Sequence, residues 1–229
     1  MGKDKLKRFA QMAEFPHVFE PSFTSLETNG FPLKGKWNTD FFKRDMPLVL
    51  ELGCGKGEYT VGLSQIYPER NYVGMDIKGA RMWRGALTIL ENKQDNGAFV
   101  RTRLGLIDRF YGENEVDEIW ITFPDPQPRK SRAKKRLTSP EFLDRYRKLL
   151  KPGGIINLKT DNYPLYLYSL EVAQEQGLEI LAATDDLYGE FLPKLEDEKL
   201  KEALSIKTTY EQIFSDKGFD INYLSFRLK

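Results

Sequence analysis

The residues able to do chemistry fall at four places. Glu51-Leu52-Gly53-Cys54-Gly55-Lys56-Gly57 sets three glycines at alternate positions, and Asp76 follows Gly55 by 21 residues. Glycines leave room for backbone N–H groups to approach a polar or anionic ligand at the start of a helix. An acid at that distance can accept from both hydroxyls of a ribose. Phe123-Pro124-Asp125-Pro126 holds a second acid between prolines, which fix φ and disfavour helix in the residue before them, so Asp125 is stiffly supported. Lys159-Thr160-Asp161 supplies a third acid. Directly after Asp125 stand Arg129, Lys130, Arg132, Lys134, Lys135 and Arg136, six cations in eight residues with no acid among them. On an ordinary surface such a run is merely solvated. Beside a cleft it can neutralise several phosphates and make binding steeply salt-dependent, which favours a nucleic acid.

The elements that must position these residues alternate. Leu48 to Leu52 is a short apolar run ended by glycines, as in a buried strand. Tyr59, Leu63, Ile66 and Tyr67 then predict one face of a helix. Asn71 to Met75 reads as a second strand closing at Asp76, followed by a helix with Ala80, Trp83, Leu87 and Leu90 on one face. Strands are expected at Ala98 to Leu104 and Val116 to Phe123. Thr138 and Glu141 predict a capping box, Pro140 suits a first turn, and Phe142, Leu143, Tyr146, Leu149 and Leu150 form the apolar face. Lys151 to Gly154 stops that helix before a fifth strand from Ile155 to Leu158. A helix from Tyr163 to Gln176 and strands near Glu179 to Ala183 and Asp220 to Leu228 complete the pattern. The last two strands flank a charged insertion from Asp185 to Leu204. Residues 1–44, with Pro16, Pro21, Gly30 and Pro32, are expected to form a partly irregular extension to a domain spanning 45–229. The fold class is α/β, a mostly parallel, open doubly wound sheet. In such a sheet the loops closing strands one, two, four and five open onto one crevice.

The nearest rival reading is a nicotinamide-binding domain, but its fingerprint is G-x-G-x-x-G and here position 58 is Glu58. A P-loop is excluded because no Gly-Lys is followed by Ser or Thr. The loop instead resembles the E-x-G-x-G-x-G motif of Rossmann-like, class I methyltransferases, as do Leu150 to Gly154 and the closing strand. Adenine and cytosine amino-methyltransferases carry an Asp or Asn followed by two prolines and an aromatic, which is not the order here. Phe123 to Lys130, continuing through Lys134-Lys135-Arg136-Leu137-Thr138, is similar to the signature of the bacterial tRNA (guanine-N7-)-methyltransferase family, TrmB. Thr208-Thr209-Tyr210-Glu211 resembles that family's T-x-x-E element, and Lys159-Thr160-Asp161 also matches.

The resemblance covers roughly Pro47 to the end. It implies a seven-stranded sheet with an antiparallel last strand, and transfer of a methyl group from S-adenosylmethionine to N7 of a guanine in the tRNA variable loop. By position it assigns Glu51, Gly53, Gly55, Gly57, Asp76, Leu106 and Asp125 to the methyl donor. Arg129, Lys130, Asp161, Thr208 and Glu211 fall to the tRNA. Asp125 is the candidate catalytic residue, orienting guanine and stabilising its developing positive charge. Three positions depart from the family: Gln127 replaces the usual Trp, Arg132 a frequent His, and Leu106 a frequent cofactor-binding Asp. A class I methyltransferase acting on a protein or small molecule, and a non-catalytic RNA-binding protein of the same fold, are the alternatives.

The bulk numbers fit without deciding. With 229 residues and 40% hydrophobic content the chain can bury a full core, and its net charge of +1 leaves the basic run as a local feature. The single Cys54 and single His17 allow neither an intramolecular disulfide nor a Cys/His zinc cluster. No metal is expected, although a magnesium site built from carboxylates stays open. Residues 1–15 lack the apolar stretch of a signal peptide, Leu6 stands where a myristoylation motif needs Ser or Thr, and no run is long enough to span a membrane. A reducing cytoplasmic compartment is expected, with neither monomer nor homodimer favoured. His17 and Cys54 read as structural, Trp83 and Trp120 as core, and Trp37 has no assigned place.

Overall fold

The computed structural model describes residues 2–215 and 218–228; Met1 of the expected extension and Asp216, Lys217 and Lys229 of the expected domain lie outside them. In chain order the elements are α1 (Gly2–Glu14), β1 (Val18–Phe19), α2 (Phe23–Asn29), β2 (Leu48–Leu52), α3 (Glu58–Ile66), β3 (Asn71–Asp76), α4 (Gly79–Glu91), β4 (Gly97–Arg101), β5 (Val116–Thr122), α5 (Pro140–Tyr146), β6 (Leu150–Thr160), α6 (Tyr163–Glu175), β7 (Glu179–Thr184), α7 (Glu198–Ser205), α8 (Thr209–Ser215) and β8 (Asn222–Arg227). They build one sheet in the order β1-β4-β3-β2-β5-β6-β8-β7, parallel except where β8 runs between β6 and β7. The central strands β2 and β3 are buried along nearly their whole length, as continuous apolar runs require.

The extension differs from its expected irregular form. It contributes α1, α2, a single π-helical turn at Trp37–Phe42, and an eighth strand, β1, which pairs in parallel with β4. The physical reason is an aromatic cluster. Trp37 is fully buried and stacks on Tyr111 at 5.8 Å, while its indole N–H donates to the Phe110 carbonyl at 3.1 Å. The Glu115 carboxylate accepts from the backbone N–H groups of Gly35 and Trp37, which pins this turn to the sheet's lower edge. Prolines there end short elements rather than abolish them.

Two local expectations shift by one residue. The helix α5 is capped by Ser139, whose hydroxyl accepts from the Phe142 N–H, while Thr138 is buried against the Ser169 hydroxyl at 2.6 Å. On α4 the buried stripe is Gly79, Met82, Gly85, Ala86 and Ile89, and Leu90 is exposed. A side chain at 85 would meet the Lys56 carbonyl at 2.5 Å, so glycine there lets α4 lie directly against the loop after β2. The insertion between β7 and β8 folds onto α3, burying Leu187, Leu192, Ala203 and Leu204 with Tyr59 and Leu63. Among the described residues no helix is long and apolar enough to cross a membrane.

Candidate active site

The loops after β2, β3, β5 and β6 open onto a single cleft of about 650 Å³, as the topology requires. Gly53, Gly55, Asp76, Asp125, Asp161 and Thr208 all line it. Residues from distant parts of the chain thus meet at one sheet edge.

The donor side is built from within. Gly53 and Cys54 both donate their backbone N–H to the Met75 carbonyl, Gly57 donates to Cys54, and Gly55 donates to Asp76 Oδ2 at 2.9 Å. The expectation that N–H groups at Gly53, Gly55 and Gly57 approach a ligand is therefore corrected: the end of β3 takes those of Gly53 and Gly55, directly or through Asp76, and the loop's own turn takes that of Gly57. What the loop offers is shape, since Gly53 and Gly55 have φ of 77° and 55° and leave the cleft wall bare. The other oxygen of Asp76 accepts from the Lys78 N–H at 2.8 Å, so the carboxylate is fixed at the cleft from both sides.

Glu51, Gly57 and Leu106 lie off the cleft. Glu51 is buried below the loop, accepting from the Thr60 N–H at 2.7 Å, the Thr60 hydroxyl at 2.5 Å and the Thr122 hydroxyl at 3.0 Å. Burial pushes its carboxyl up to about 7 against the pull of those hydrogen bonds. Gly57 starts α3 at φ 77°, and a Cβ there would fall 2.6 Å from the Phe99 ring. Leu106 lines a neighbouring cavity with Ile77, Phe23 and Arg103; Leu104 reaches the cleft instead, because β4 ends at Arg101 and a 3₁₀ turn begins at Leu104. Cys54 is buried, and its thiol is pushed well up by that burial and by Glu51 and Asp76, which suits filler rather than nucleophile. His17 is structural: Nε2 contacts the Ala86 carbonyl at 2.8 Å, and burial lowers its pKa.

The acceptor side is exposed and held by strain. Phe123 and Gln127 adopt φ of 48° and 45°, values that non-glycine residues take at a cost of about 1–3 kcal/mol each. The Phe123 N–H donates to the Lys159 carbonyl at 2.8 Å, and Asp125 Oδ1 accepts from the Gln127 N–H at 3.1 Å. Arg136 clamps the far end, donating to the carbonyls of Pro126 and Gln127 while its guanidinium lies 4.2 Å from the Tyr168 ring centre. Arg129, Lys130, Arg132, Lys134 and Lys135 are exposed on and around a 3₁₀ turn, form no ion pair among the described residues, and reach the cleft through Lys135.

The third wall comes from α8. Thr208 Oγ1 accepts from the Glu211 N–H at 3.1 Å and Glu211 accepts from the Thr208 N–H, a reciprocal capping box that explains the T-x-x-E spacing. Glu211 is fully buried away from the cleft, whereas Thr208 and Tyr210 line it. The Thr209 hydroxyl donates to Glu58 at 2.7 Å and accepts from Lys56 at 2.9 Å, and Arg81 lies 5.2 Å from the Tyr210 ring, so this wall is tied to the donor side. Sequence reasoning missed Glu58, Lys78 and Arg81, whose place on the cleft no local pattern signals. Among the described residues no three His, Cys, Asp or Glu side chains gather as a metal site.

An open α/β sheet with one antiparallel strand and a glycine-loop cleft at its carboxyl edge defines a Rossmann-like, class I methyltransferase. Solved structures share the fold: the 16S rRNA methyltransferase KamB superposes with a TM-score of 0.59 over 83% of this chain and 92% of its own at 16% identity. A 30S ribosomal A1408 methyltransferase from an uncultured bacterium gives 0.55 over 86% and 98% at 13% identity. The profile of a family described as "Putative methyltransferase" matches residues 45–223. The chain is similar over its whole length to proteins named tRNA (guanine-N(7)-)-methyltransferase: one from Bacteroides fragilis (strain YCH46), 50% identical over all of this chain and 87% of that protein, and one from Christiangramia forsetii, 49% identical over 100% and 99%. The chain belongs to the tRNA (guanine-N(7)-)-methyltransferase family.

Proposed function

We propose that the protein transfers the methyl group of S-adenosylmethionine to N7 of a guanine in tRNA, acting in the cytoplasm. The observation that carries this reading is one cleft bearing a fixed ribose-type acid, Asp76, opposite an exposed acid between prolines, Asp125, with unpaired cations at its rim.

The residues fit the donor. A loop whose N–H groups are already engaged is a poor phosphate cradle, which argues against a dinucleotide. Asp76 retains lone pairs for a ribose diol, and the glycines leave space beside them. When bound there, S-adenosylmethionine supplies an electrophilic methyl group on a cationic sulfur. Guanine N7 carries no proton, so the chain needs no general base and its task is alignment. Asp125 accepts from the guanine edge and becomes a better partner as the ring turns cationic. Asp161, half-buried at the end of β6 with its carboxyl raised by burial, faces the same space and is a second contact for the substrate. Arg129 and Lys130 neutralise RNA phosphates without reading sequence. Thr208 presents the α8 wall to the tRNA.

Labelled methyl transfer to tRNA lacking the modification, followed by nucleoside analysis, tests the reading. Label only in 7-methylguanosine is expected. Label in any other nucleoside, or none in tRNA, would overturn it.

A further inference from the structure

The carboxyl end of β6 buries a cation. Lys159 is wholly inaccessible, and its ammonium donates to the Leu204 carbonyl at 2.7 Å, the Ile206 carbonyl at 3.2 Å and the Tyr188 hydroxyl at 3.1 Å. It pairs with the equally buried Glu211 at 2.9 Å, which also accepts from the Tyr188 hydroxyl. The rings of Tyr59, Tyr188 and Phe123 lie 5.4, 5.3 and 5.9 Å from it. Burial lowers Lys159 to about 8; Glu211 opposes that shift and Lys207 adds to it.

A buried ion pair is weak evidence for stability, because well-packed apolar groups often serve as well. Its geometry here has another consequence. Among the described residues, the hydrogen-bond acceptors around the ammonium all lie from position 188 to 211, a stretch outside the sheet. Thr208 and Tyr210, which wall the cleft, sit inside that stretch. Glu211 closes the capping box with Thr208, so the Lys159 contact passes directly to a cleft residue.

We propose that Lys159 is a positioning residue for the RNA substrate: it draws the 204–211 segment onto the end of β6 and so sets Thr208 and Tyr210 in the cleft wall. Glu211 acts through this latch and does not touch the RNA. The inference rests on the proposed tRNA activity for its meaning, and on the buried contacts for its geometry.

Lys159→Met, which keeps an unbranched side chain one atom shorter and removes the charge, tests it. The KM for unmodified tRNA should rise about tenfold or more, while the affinity for S-adenosylmethionine stays within about threefold. Amide hydrogen exchange across 204–211 should accelerate by at least about tenfold. Leu63→Ala, which destabilises the same cluster from α3, should not produce this split. Glu211→Gln alone should raise the tRNA KM, and the double variant should be no worse than Lys159→Met, because both residues act through one contact. Fully multiplicative effects would mean that Glu211 meets RNA independently, and would overturn the proposal. So would unchanged exchange across 204–211. If Lys159→Met does not fold, Lys159→Arg, which keeps the charge, is expected to give smaller changes of the same pattern, and its absence counts against the latch. A wild-type chain that methylates no tRNA would sink the proposed function, and exchange alone would then decide the latch.

Discussion

The two sides of the cleft use polar groups in opposite ways. On the donor side the N–H groups of Gly53, Cys54, Gly55 and Gly57, the Asp76 carboxylate and the buried Glu51 are engaged with one another or with adjoining strands and helices. On the acceptor side Asp125 and five cations are exposed, and of the basic run between 129 and 136 Arg136 is the member committed to the fold. Substitution on the first side therefore acts through shape and stability. On the second it acts on turnover and RNA affinity, with the fold intact.

Gly57→Val should break the donor side hardest. A β-branched residue at φ 77° with its Cβ against Phe99 is strained twice, and a loss of about 3 kcal/mol or more in denaturant unfolding is expected. Unchanged stability would mean that the loop is not held as described. Glu51→Gln sharpens the contrast through pH. The folded carboxyl is raised from 4.5 to about 7, so the native state binds more protons across that window, and stability falls as pH rises through it. The variant should lose that slope, a difference on the order of 1–3 kcal/mol between the ends of the window, measured as Tm against pH. On the acceptor side, replacing Arg129, Lys130 and Lys135 together by Ala should leave Tm within about 1–2 °C. The slope of log affinity for tRNA against log salt should fall by roughly 2. An unchanged slope would place the RNA elsewhere.

The same contrast governs what could be read in the sequence. Strands β2, β3 and β5, the second half of β6 and the loops that end them were legible because apolar runs punctuated by Gly and Pro are local signals. Leu150 to Gly154, expected as a helix end and its stop, already belong to β6. The face of α4 was not: Ala80, Trp83, Leu87 and Leu90 repeat with the same period as the true stripe one position earlier, and the buried Gly79 and Gly85 carry no apolar signature. Trp37 was opaque because its partners Phe110 and Tyr111 lie more than seventy positions away. Asp76, Asp125 and Asp161 were found on the cleft where strand ends placed them. Glu51 and Glu211 look no different in sequence, yet both are buried, since only tertiary packing shows that Thr60, Thr122 and Lys159 surround them. The T-x-x-E spacing was visible, and its meaning as a capping box required the coordinates.

The role of Asp125 is most directly tested by single-turnover methyl transfer from Asp125→Asn, with both substrates saturating. The side chain is exposed and its hydrogen bond from the Gln127 N–H is local, so Tm should not change. The rate should fall by roughly 10²-fold, as expected when a group aimed at developing charge is neutralised. A full rate with unchanged tRNA affinity would contradict the assignment of Asp125 to the guanine.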